Sequence, residues 1–190
     1  MNSYTSKKGL IPRERNGSKG YTIIELLAVV AILVIISGVV TGILYSTLRG
    51  NNEAKISTDI TQNGNYAISV ISAAIIDSRA ITQVGGVNIS DCTANPSGTS
   101  ITFRRLSGGS TTFSCSNNTI FSDSDSLINS EDVVVDANSC FFYCNQLSSD
   151  PYAIPIAGVT FKLTEKNSAL FEAQSSAIFN TSVSLRNYSP

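Results

Sequence analysis

From Ile23 to Tyr45 the sequence runs for 23 residues with one charged side chain among them, Glu25. As a helix, at ~1.5 Å of rise per residue, that stretch spans about 34 Å, enough to cross the hydrocarbon of a bilayer. A carboxylate inside such a run is costly to bury, less so near its end than at its centre. Once the helix lies in lipid, Glu25 has no water to turn to. Something must offset that cost, and the first candidate is local. Thr22-x-x-Glu25 has the spacing of a capping box, with the acid beside the positive end of the helix.

Charge is distributed unevenly about this run. Residues 1–20 hold five basic side chains, Lys7, Lys8, Arg13, Arg15 and Lys19, against Glu14, a net of +4. The 170 residues that follow hold eight basic and thirteen acidic side chains, a net of −5. The positive-inside rule therefore keeps the basic segment in the cytoplasm and exports the C-terminal part. An ordinary secretory signal would have a shorter apolar core and a small-x-small cut site, a pattern that Ser37, Gly38 and Gly42 could imitate. That reading leaves Gly20 and Glu25 without a purpose.

The segment Gly17-Ser-Lys-Gly20 followed by Tyr21-Thr22-Ile-Ile-Glu25-Leu-Leu resembles the processing site of the type IV pilin and pseudopilin family. The resemblance covers roughly the first 45 residues. It implies a leader removed between Gly20 and Tyr21 by a prepilin peptidase, which also methylates the new amine. It places Glu25 at the fifth mature position, and Tyr21 departs mildly from the family's usual Phe. The implied fold is α+β, a long N-terminal helix packed on an antiparallel sheet, pilin-like. The implied partners are other pilin subunits in a filament, the prepilin peptidase, the inner-membrane assembly platform, and membrane lipid before assembly. A free amine at Tyr21 of one subunit could pair with Glu25 of its neighbour and set axial register, as buried polar pairs can.

The expected organisation is a leader over 1–20, a membrane and assembly helix over 21–48, an amphipathic continuation over 49–79 and an exported β-rich domain over 80–190. Gly38-x-x-x-Gly42 marks either a close helix contact or a point of local unwinding. Tyr45 and Arg49 suit an interfacial anchor, and Gly50-Asn51-Asn52 is poor helix material. Beyond it, Ile56, Ile60, Asn63, Ala67, Val70 and Ala74 recur at helical spacing, widened by Ile68, Ile71 and Ile75. One polar residue, Asn63, interrupts this stripe. The helix is expected to end near Asp77 to Arg79.

After Ile81 the texture becomes short β-type runs between turn residues. Residues 100–106 and 110–116 flank Ser107-Gly108-Gly109 as a hairpin. Further strands are expected at 119–121, 132–135, 140–143, 156–163 and 176–185, with Pro151 and Pro155 bracketing a loop. Cys92, Cys115, Cys140 and Cys144 all fall in the exported part, where disulfides are the expected state. Three pairings are open. The expectation leans to Cys92–Cys115 with Cys140–Cys144, and the second bond requires a turn at residues 141–143. Were 140–144 a straight strand, the two sulfurs would stand about 13 Å apart, too far to join.

The chain has no histidine, which excludes Ser-His-Asp and Cys-His catalysis and mixed zinc sites. It has no G-x-S-x-G and no P-loop, and nothing places a serine beside Lys162 or Lys166. The expected protein is not an enzyme, with no catalytic residues, no cofactor and no metal. Asp123, Asp125, Glu131 and Asp132 could gather calcium, yet the EF-hand pattern is missing and a solvated acidic loop is the better account of them. Arg104-Arg105 could touch nucleic-acid phosphates, but an acidic domain and side chains on opposite faces of a strand argue against it. Glycosylation-type triplets at Asn88, Asn117, Asn180 and Asn187 are expected by chance in a chain so rich in Asn, Ser and Thr.

The sequence therefore reads as a prepilin-like structural subunit of a type IV pilus or type II secretion-related filament. Loose patterning after the first helix leans towards a minor subunit. The competing class is a membrane-tethered binding protein with an uncut anchor.

Overall fold

A computed structural model describes residues 20–150, 152–166 and 175–188. The basic leader before Gly20, Pro151 and Ser189 lie outside the described residues. The chain divides into two compact units between Thr47 and Leu48.

In the first unit, helix α1 (Ile23–Ile76) begins directly after Thr22. Its side chains up to residue 47 are exposed, the large apolar ones included, because no other element of the unit covers them. The helix is long and apolar enough to cross a membrane.

In the second unit α1 runs unbroken through Gly50-Asn51-Asn52, although these are weak helix formers. Packing further along decides the outcome. Ile60, Gly64, Ala67, Ile71 and Ile75 are buried, and Ile56, Ile68, Val70 and Ala74 pack partly against the same core. This is the stripe expected from the sequence, with Gly64 as an added member. Asn63 interrupts the stripe for a reason. Its amide donates to the Asp59 carbonyl at 2.8 Å, and its Oδ1 accepts the Asn129 amide at 2.7 Å. The polar residue ties a distant loop to the helix.

The helix ends at Ile76, and the chain turns into β1 (Ser78–Val84) with one residue between. The last-turn carbonyls find donors elsewhere, as helix ends require. Ser78 Oγ donates to Ala74, the Asn187 side chain donates to Ile76 at 3.2 Å, and the Leu106 amide donates to Asp77.

The strands after β1 are β2 (Val87–Asn88), β3 (Ser97–Gly98), β4 (Ser100–Arg105), β5 (Ser110–Ser116), β6 (Thr119–Ser122), β7 (Asp125–Ser126), β8 (Val133–Val135), β9 (Phe141–Asn145), β10 (Ile156–Glu165) and β11 (Ser176–Ser184). They form two antiparallel sheets. One has the order β2-β1-β4-β5-β6-β7. The other has the order β11-β10-β9-β3, with β8 pairing the far end of β10 beside β9. The expected 107–109 hairpin joins β4 and β5, and Gly108 supplies the positive φ of 95° that the turn needs. A tighter turn at Asn117-Asn118, both with positive φ, joins β5 to β6. It takes up the Asn117 triplet, whose Thr119 is buried.

Alternate residues of both sheets face the helix. Ile101, Phe103, Phe113 and Ile120 come from the first sheet, and Phe142, Val159, Phe161 and Leu163 from the second. Phe113 and Phe142 join the two sheets, with ring centroids 6.5 Å apart. Phe161 stacks on Phe179 at 5.3 Å, and the Phe179 ring lies directly over Gly64 of the helix. A Cβ at Gly64 would fall within that ring. Gly64→Ala is therefore expected to lower unfolding free energy by roughly 1–3 kcal/mol, the usual range for overpacking a tight core. Denaturant unfolding of the full chain measures it. A loss well under 1 kcal/mol would mean that the ring moves aside freely.

Candidate assembly site

The expected processing and assembly residues occupy the start of α1. Gly20, Tyr21 and Thr22 precede the helix, and Thr22 is its N-cap. Thr22 Oγ1 accepts the Glu25 amide at 3.3 Å, and the Thr22 carbonyl accepts the amides of Glu25 and Leu26 at 3.1 Å. This is one half of a capping box. The Glu25 carboxylate takes no side-chain hydrogen bond or ion pair among the described residues and is exposed in the first turn. Capping thus uses the Glu25 backbone and leaves its carboxylate free for another partner.

The surrounding helix surface is apolar on all sides. Ile23, Ile24, Leu26 and Leu27 are each more than half exposed. At Gly38 and Gly42 an added Cβ would meet nothing, so this surface is open to a second helix at both positions. Thr41 and Thr47 satisfy their hydroxyls on the carbonyls of Ser37 and Ile43, at 2.8 and 2.9 Å. Glu25 carries the one carboxylate of this surface, and among the described residues it has no partner.

In the β domain the four cysteines pair as Cys92–Cys144 and Cys115–Cys140, with Cα separations of 5.5 and 6.1 Å. This corrects the expected Cys92–Cys115 and Cys140–Cys144 bonds. The reason is β9: residues 141–145 are extended, so Cys140 and Cys144 are held apart. Cys144 instead faces the loop carrying Cys92. Gln146 reinforces that junction, accepting the Cys92 amide at 3.1 Å and donating to the Ala153 carbonyl at 2.8 Å. Beside it, hydrogen bonds from the Thr93 hydroxyl and amide hold the Asp91 carboxyl below the ordinary carboxylate range.

The other candidates disperse. Asp123 accepts the Thr112 amide of strand β5 at 2.8 Å, and Asp132 accepts the Asn129 side chain at 3.0 Å within a local turn. Among the described residues no group of three or more acidic or cysteine side chains is arranged to hold a metal ion. Lys162 pairs with Asp136 at 3.1 Å, and the Lys166 amine donates to the Ser130 carbonyl. Asn63, Gly64 and Gln146 act as structural anchors. Of the three, only Asn63 carries a signal in the residue order, as a polar break in an apolar stripe.

Comparison with known families bears on the N-terminal site. The family described as the prokaryotic N-terminal methylation motif matches residues 15–41, a stretch that contains Gly20, Tyr21, Thr22, Glu25 and Gly38. No curated protein and no solved structure matches the chain. The chain thus carries a prokaryotic N-terminal methylation motif at the head of a hydrophobic helix, followed by a helix-on-sheet domain.

Proposed function

We propose that this chain is a prepilin-like structural subunit of a type IV pilus or a type II secretion-related filament. A prepilin peptidase cuts it between Gly20 and Tyr21 and methylates the Tyr21 amine. Before assembly the helix is held in the cytoplasmic membrane, leader inside and β domain outside. The assembly platform then delivers it to a bundle of like helices, where Glu25 meets the Tyr21 amine of a neighbour. One observation carries this reading: the methylation motif coincides with an apolar helix surface whose one carboxylate is left unpaired. A buried carboxylate must find a cation or become neutral, and a freshly exposed amine four residues upstream in an adjacent copy is a matched partner.

Intact mass and N-terminal sequencing of protein from its native membrane test the processing step. The expected chain starts at Tyr21 and is heavier than the bare cut product by one methyl substitution. A chain starting at Met1 would instead support a tethered binding protein with an uncut anchor.

A further inference from the structure

Strand β11 ends its sheet, and one of its sides has no strand beside it. It pairs with β10 over all nine residues, from Ser176 opposite Thr164 to Ser184 opposite Ile156, with no shift of register. The bonds just beyond its two ends fix which groups face β10. The Glu165 amide donates to the Ser175 carbonyl at 3.2 Å, and the Leu185 amide to the Pro155 carbonyl at 3.1 Å. Residues that exchange bonds alternate along an antiparallel ladder. Ala177, Phe179, Thr181 and Val183 therefore bond to β10, while Ser176, Ile178, Asn180, Ser182 and Ser184 turn their N–H and C=O groups outwards. Those outward groups make no hydrogen bond among the described residues.

Proteins usually blunt such an edge with a short strand, charges, proline or a bulge. The other ends of the two sheets follow that rule, since β2, β3 and β7 have two residues each. β11 has none of these devices. The apolar layer also stops unfinished at this edge. Phe179 is buried, but Ala177 and Val183 on the same face are only partly covered. On the opposite face Ile178 is 72% exposed. The edge therefore suits a further strand that brings small apolar side chains to the core face.

We infer that β11 of one copy pairs antiparallel with β11 of a second copy. Edge-to-edge pairing needs a long open strand on both partners, and β11 is the described strand that offers one. It is also complementary to itself. A two-fold axis at Asn180 sets that residue opposite its own counterpart, Ile178 opposite Ser182 of the second copy, and Ser176 opposite Ser184. All the outward groups then exchange bonds in one register. On the core face the same axis sets Val183 of each copy beside Ala177 of the other, which completes the unfinished layer. The net −5 of the chain after Gly20 repels a second copy at long range, but the edge adds nothing to that repulsion. β11 is uncharged, and Lys162, which lies opposite Ile178, is paired with Asp136. A two-fold contact closes at two copies and cannot propagate a filament. On the filament reading, the pair therefore forms between copies still in the membrane.

Thiol cross-linking of the full chain in its native membrane tests the register. The native cysteines are all held in disulfides, so an added one reports alone. Opposed residues that exchange bonds have Cα atoms about 5.5 Å apart, within disulfide reach. Asn180→Cys is expected to give a covalent dimer under mild oxidation. In Ile178→Cys the two thiol positions stand about 13 Å apart along the strands, so it is expected to link about tenfold less. Ser182→Cys should behave in the same way. Combining Ile178→Cys with Ser182→Cys is expected to restore the dimer. All three positions are exposed, and the double variant leaves Asn180 untouched, which guards against misfolding of any one variant. Adding Asn180→Lys to the double variant sets like charges opposite each other and is expected to lower the dimer several-fold. The proposal is overturned if neither Asn180→Cys nor the double variant forms the dimer, if all three positions link equally, or if position 180 links to a different protein. None of these measurements depends on cleavage at Gly20 or on entry into filaments, so the filament reading stands or falls separately.

Discussion

Glu25→Ala is expected to leave the chain inserted and cut at Gly20 but to remove it from filaments. The Thr22 cap uses the Glu25 backbone and leaves its carboxylate unengaged. In lipid alone the substitution is favourable, because Ala enters hydrocarbon more readily than a carboxylate does. Membrane levels should therefore hold or rise. In the proposed bundle the same change would strand the Tyr21 amine of the neighbour without a counter-charge. Leaving one member of a buried pair unmatched costs about 3–5 kcal/mol, or roughly a hundredfold to several thousandfold in the equilibrium for each added subunit. Glu25→Gln keeps the shape and one acceptor and should fall between the two. Quantifying subunit in membranes and in sheared filaments separates these effects. Filament levels of Glu25→Ala equal to the parent would remove the register role from Glu25.

The same segment shows why the N-terminal site is legible in the residue order alone. Its signal is local: a run of apolar residues, one acid and one glycine, with no long-range contact needed to interpret them. The helix face from Ile56 to Ile75 is legible for a related reason, since helical periodicity survives in the residue order. The hairpin at 107–109 is legible because glycine marks the turn. What depends on distant contacts is not. β1 starts where the helix pattern ends, and its bulge at Arg79 breaks the alternation that would announce a strand. The two-residue strands β2, β3 and β7 exist only through their partners. Gly64 carries no signal of its own in the residue order, because the side chain that needs its space, Phe179, comes 115 positions later. The disulfide expectation fails for the same reason: proximity in sequence favours Cys140 and Cys144, while strand geometry forbids the bond.

That geometry also sets the size of the second large effect, removal of the Cys92–Cys144 bond. Its loop closes across 52 residues, with the 25-residue loop of Cys115–Cys140 nested inside it. On the loop-entropy account, with the inner bond intact, the outer one limits the unfolded chain by about 3.5 kcal/mol. Both sulfurs are buried, so alanine is the cleaner replacement, since a serine hydroxyl would be buried without a partner. Cys92→Ala with Cys144→Ala is therefore expected to lower the melting temperature by roughly 7–14 °C for a chain of this size. The Gln146 hydrogen bonds to Cys92 and Ala153 remain and keep the junction from separating in the folded state. Chymotryptic mapping without reduction checks the premise, because Phe141, Phe142 and Tyr143 lie between Cys140 and Cys144 and allow them to be separated. The Cys92 peptide should carry Cys144, and the Cys115 peptide should carry Cys140. A Cys92 peptide joined to Cys115, or a double variant that melts with the parent, would show that the loop is held by other means.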